Sequence, residues 1–106
     1  MAKFLTQASY TSEGLRGLAK DTASGRKAAI IKAVEGLGGE VEACYYAFGA
    51  DDIVVVTDFP DNVSAAALAL AVGSTGLVDV RTTPLLTVEE VDQALKKSVA
   101  YRAPGR

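Results

Sequence analysis

Phe4, Thr6, Ala8 and Tyr10 alternate with Leu5, Gln7 and Ser9, the two-residue period of a strand that turns one face inward. A first strand is therefore expected over residues 4–10, ending at Thr11-Ser12-Glu13-Gly14. From Ser24 the period lengthens: Ile30, Ala33, Val34 and Leu37 recur at helical spacing, Lys32 and Glu35 fall on the far side, and Gly38-Gly39 supplies the stop. Residues 40–48 and 53–59 read as two more strands joined across Gly49-Ala50-Asp51-Asp52, a length and composition suited to a hairpin. After Pro60, the Ala65-Ala66-Ala67-Leu68-Ala69-Leu70-Ala71 run predicts a second helix capped by Asn62 or Ser64 and ended by Gly73 and Gly76. Residues 77–86 form the fourth expected strand, and Pro84 assigns it to an edge, because proline lacks the N–H that a central ladder needs. Thr87 with Glu90 three residues on is a capping-box pattern, and Val88, Val91 and Leu95 give the helix that follows an apolar stripe. The tail from about residue 98 is expected to fray.

This order, β-α-β-β-α-β-α, predicts a single α+β domain over residues 1–106. It is a ferredoxin-like βαββαβ unit with a C-terminal helix, whose right-handed crossovers give a four-stranded antiparallel sheet of order 4-1-3-2. The third strand then lies centrally. Its Ile53 and Val55 point one way and Val54 and Val56 the other, so both sheet faces need a cover, and two helices supply only one. The second cover is expected to be the same face of another chain, in a homodimer or a multiple of dimers. The competing cover is the C-terminal helix, folded under its own sheet.

Composition narrows the partners. A net charge of -2 without a run of Lys or Arg gives no attraction to nucleic acid. The most apolar helical stretch, residues 63–72, is too short to span a bilayer, so no membrane partner is expected. The N-terminal decade lacks a signal-peptide core, and Cys44, alone, excludes an intramolecular disulfide; both fit a cytoplasmic protein. Histidine is absent, which removes the commonest general base near neutral pH and histidine-ligated haem, and no cofactor is expected.

Tyr10-Thr11-Ser12-Glu13-Gly14-Leu15, Ser24-Gly25-Arg26, Gly38-Gly39, Tyr45-Tyr46-Ala47-Phe48-Gly49, Pro60-Asp61 and Leu85-Leu86-Thr87 together make nearly the whole chain resemble the GYD-domain family. The resemblance implies a dimeric α/β-barrel relative, in a group that includes cofactor-independent monooxygenases, muconolactone-isomerase-like enzymes, haem-handling enzymes and ligand-sensing modules. Gly49-Ala50-Asp51-Asp52 departs from the family's Gly-x-Tyr-Asp signature, with Asp51 where the tyrosine would stand, so no role of that tyrosine carries over.

Among candidate chemistry, Arg26 stands out because it falls on the stripe of Ile30, Ala33 and Leu37, where a solvated charge would not ordinarily sit. With Ser24 and the N–H groups of a helix start it would form a site for a carboxylate or phosphate; the plainer reading pairs its head with a nearby Asp. Tyr10, Tyr46 and Asp58 are the remaining candidate ligand-binding residues. Tyr45 and Tyr46, being adjacent on a strand, must face opposite ways. Cys44 reads as a packed residue, and Arg81 and Asp79 as a pair on an exposed strand. No metal site is expected, because the cluster Asp51, Asp52, Asp58 and Asp61 follows no known ligand spacing. These features favour a small-molecule binding or regulatory module for a small, anionic organic ligand. The alternative is a cofactor-independent monooxygenase or isomerase, in which Asp58 or a tyrosine would have to act as the base.

Overall fold

The computed structural model describes residues 1–106. Strand β1 (Ala2–Tyr10) runs between β3 (Ile53–Phe59) and β4 (Val78–Leu85), antiparallel to both, and β2 (Glu40–Tyr46) pairs with the outer side of β3. The sheet order β2-β3-β1-β4 is that of a ferredoxin-like α+β fold, with β4 and its Pro84 at an edge. Helix α1 (Ser12–Gly36) lies over β2, α2 (Asn62–Gly73) over β4, and a short α3 (Val88–Leu95) follows the last strand. No helix is long and apolar enough to cross a membrane.

Register decides what each face carries. Phe4 stands opposite Thr57, Thr6 opposite Val55 and Ala8 opposite Ile53 on the side that meets the helices, while Leu5–Val56 and Gln7–Val54 share the other side. Phe4, Val34, Phe59 and Ala65 form one buried cluster, in which the Phe4 and Phe59 rings meet edge to face at 5.9 Å. Ala8, Ile53 and Val55 form a second. A bulge between Val41 and Ala43 leaves Glu42 without a cross-strand partner on β2 and turns Val41 and Cys44 toward the helix side together.

Three expected boundaries move. Helix α1 begins at Ser12 rather than Ser24: Thr11, in an extended conformation, accepts the Gly14 N–H at 3.1 Å, and the chain runs on through a kink at Thr22 (φ 70°, ψ 162°). Gly14 is needed there because a Cβ would collide with the carbonyl oxygen of Leu77, which itself accepts the Thr11 N–H at 2.9 Å. Strand β2 stops at Tyr46, leaving Phe48 fully exposed in the loop. Helix α2 is capped by Asp61, whose carboxylate accepts the Ser64 N–H at 2.8 Å. The capping box of α3 forms as expected, with the Thr87 hydroxyl and the Glu90 carboxylate each taking the other residue's backbone N–H.

Candidate functional site

Because α1 leans toward β2 and α2 toward β4, a strip of β1 and β3 between them lies open as a cleft of ≈ 80 Å³. Its floor carries inward residues of β1, β3 and β4, among them Ala8, Val55 and Val80, and its walls are Ile30 of α1 and Leu68 and Val72 of α2. Twelve of the sixteen lining residues are hydrophobic; the others are Thr6, Thr57, Thr82 and Arg26. The small side chains of Ala65 and Ala69 are what let α2 stand close to the sheet without filling this space. A more open groove between α1 and α2, of ≈ 340 Å³, shares Tyr10, Arg26, Leu68, Val72 and Val78 with the cleft.

Thr57 is the informative residue on this floor. It is 1% exposed on a central strand, and its Oγ1 makes no hydrogen bond. A hydroxyl buried without a partner is disfavoured by about 1–3 kcal/mol, and this one lies beneath the floor of the cleft as a donor and acceptor that the fold leaves unused. The alternation Ile53, Val55, Thr57, Phe59 contains the signal for it, a lone hydroxyl among the inward positions of an otherwise apolar strand.

Of the candidate residues named from the sequence, Tyr10 and Arg26 both line the cleft. Arg26 reaches Asp21 at 3.6 Å, a long contact that leaves guanidinium donors free to face the groove. Tyr46 stands opposite Ile53 on the helix side, and burial, with the Tyr10 hydroxyl beside it, pushes its phenol up to about 12. Its phenol therefore stays protonated at neutral pH, and Tyr46 lines neither the cleft nor the groove. Tyr45 faces the other way, opposite Val54. Ser24 is exposed on α1 and lines neither the cleft nor the groove, and the N–H of Gly25 beside it is taken by the Thr22 hydroxyl at 3.2 Å. Asp58 lies on the opposite side of the sheet, where Lys3 binds it at 3.0 Å and Glu42 at 2.8 Å, so the structure does not bring it to the cleft. Cys44 is half-buried, and burial raises its thiol above the ordinary value despite the charge of Lys27. No three His, Cys, Asp or Glu side chains converge as metal ligands would.

A model of the GYD domain matches residues 4–95, most of the chain. The chain belongs to the GYD-domain family. None of the curated proteins matches it. Among solved structures, this GYD domain is similar to the NE2512 protein of unknown function from Nitrosomonas europaea, at 18% identity over 82% of this chain and 91% of that one, with a TM-score of 0.42.

Asp51, which stands where the resemblance would place a tyrosine, makes contacts of its own in this GYD domain. Asp51 receives Arg81 at 2.6 Å and Gln7 at 3.4 Å, and so fastens the β2–β3 loop to β1 and β4 on the helix-free face. The expected pairing of Arg81 with Asp79 is replaced by this one, because Asp51 reaches over β1 to the arginine from a less exposed position. Asp52 turns back into the strand and accepts the Tyr10 N–H at 2.8 Å, which continues the ladder where β1 runs out of partners on β3.

Proposed function

We propose that this GYD domain is a cytoplasmic small-molecule binding or regulatory module, whose cleft takes a compact apolar body carrying one polar or anionic group. The observation that carries the reading is Thr57: an unpartnered hydroxyl beneath the floor of an apolar cleft makes the empty site less favourable than one in which the floor side chains shift and a ligand atom bonds it. Benzene needs a cavity of roughly 150 Å³, so ≈ 80 Å³ admits a short alkyl end or part of a ring, and the rest of the ligand lies in the groove toward Arg26. A carboxylate there would exchange the long Asp21 contact for a bidentate one, which favours anions. Apolar walls with a few convergent polar groups are the ordinary make-up of a ligand site. The enzymatic alternative is less well supported, because Tyr46 and Cys44 both stay protonated and Asp58 faces away from the cleft.

The test uses benzoate and hexanoate as probes, followed by backbone amide shifts of the labelled protein. Saturable shifts centred on Val55, Thr57 and Arg26 are expected. The variant Thr57→Val should bind at least one probe about 2–10-fold more weakly, the worth of one hydrogen bond. Shifts elsewhere on the protein, or affinities unchanged in both Thr57→Val and Arg26→Ala, would sink the reading.

A further inference from the structure

Helix α3 and the residues after it touch little of their own chain. Leu86, Val88, Leu95, Val99 and Tyr101 are all about 70% exposed or more, and Val91 is 43% exposed. An isolated helix in water is marginal below about 12–15 residues, and α3 has eight, so a formed and capped α3 needs an apolar surface to rest on. The same chain carries a second uncovered apolar surface. The helix-free side of the sheet presents Leu5, Val54 and Val56 on its two central strands, and none of the three is buried. These two surfaces lie on one molecule and do not meet.

Two features choose the occupant. The first is shape: the radius of gyration is 17.0 Å where a compact chain of this length has about 13 Å, and the exposed α3 stands away from its own sheet. The second is charge. Helix α3 carries Glu89, Glu90 and Asp92, but the tail after it, residues 96–106, holds Lys96, Lys97, Arg102 and Arg106 and no acid, whereas the helix-free side has five carboxylates (Glu40, Glu42, Asp51, Asp58 and Asp79) against Lys3 and Arg81.

We propose that residues 86–106 are an exchange arm that docks on the helix-free sheet face of a second copy of this chain. The stripe of Val88, Val91 and Leu95 covers Leu5, Val54 and Val56 of that copy, and the basic tail meets its acidic rim. The reciprocal contact covers both faces, giving an isologous pair. This is independent of what the cleft binds, because the arm lies on the other side of the sheet.

Light scattering of the full chain should give twice 11.0 kDa, falling to one chain in the double variant Val91→Glu with Leu95→Glu. Because α3 touches little of its own chain, that variant should keep the circular dichroism of the sheet and the other helices. In a Cys44→Ala background, chains with Leu95→Cys mixed with chains with Val54→Cys should oxidise to a cross-linked pair. A monomeric wild type, a dimer untouched by the double variant, or a single chain bearing both cysteines that closes on itself in preference to a partner would each overturn the arm.

Discussion

Thr57 is close to valine in shape, and in the empty protein its hydroxyl does only harm to stability. Replacing it with valine removes a desolvated, unpaired Oγ1 and keeps the methyl packing between Phe4 and Val41, its partners across β1 and β3's other neighbour β2. Thr57→Val should therefore raise stability by about 1 kcal/mol, seen as a melting temperature higher by about 4–8 °C. A lower melting temperature would mean that the hydroxyl has a partner in solution, and with it the case for a ligand anchor would go. The inward placement of Thr57 is legible in the alternation of residues 53–59, as is the opposite facing of Tyr45 and Tyr46. That the hydroxyl is unsatisfied is not legible, because a hydrogen-bond partner is set by which strands and helices come near. Asp58 illustrates the same limit: being one residue from Thr57, it must face the other side, yet only the β1–β3 register shows that Lys3 waits there.

Elements were legible where local chemistry and tertiary contacts agree. The strands, the edge position marked by Pro84 and the α3 capping box all follow from period, missing N–H groups and cap pairs. Helix α1 was not, over its first half, because Gly14, Gly17, Thr22 and Gly25 each lower helix propensity. What holds that half is non-local: Leu77 accepts both the N–H and, at 3.2 Å, the hydroxyl of Thr11, and Gly14 packs against the same carbonyl. The cap of α2 was missed: Asn62 or Ser64 was expected, whereas the structure places Asp61, itself a good cap former, at that position. That choice has a pH signature. The Ser64 N–H bond holds the Asp61 carboxyl below its ordinary 3.8, so the stabilisation is present above 3.8 and is lost as pH falls through the lowered folded value. Denaturant melts of wild type and Asp61→Ala should differ by a constant amount near neutrality, with the gap closing in acid. Asp61→Asn, which caps without titrating, should lack that change in slope. A gap that persists below the folded value would assign the effect to something other than the carboxylate.

At the scale of the molecule, ten of 106 residues are buried, and Leu5, Val54 and Val56 lie on a sheet face that no helix covers, so a single chain leaves apolar surface in water. The alternation of residues 53–56 carries that signal, since Val54 and Val56 face away from Ile53 and Val55. The cover expected from the sequence was the same face of a second chain, with the chain's own α3 as the competitor; the exposure of α3 and the 17.0 Å radius of gyration are what favour an arm reaching a second copy over an α3 tucked under its own sheet. If the arm is held only by a second copy, its order must depend on concentration while that of the central strands must not. Amides of residues 88–97 should exchange with solvent almost freely at nanomolar protein and become protected as concentration rises, in step with the dimer fraction. Amides of β1 and β3, fixed by their ladder hydrogen bonds, should be slow throughout. Protection of α3 that is constant with dilution would place the helix on its own chain. Absence of protection at every concentration would leave α3 unsupported, and the free face would then have to meet its twin directly, sheet against sheet, without the arm between them.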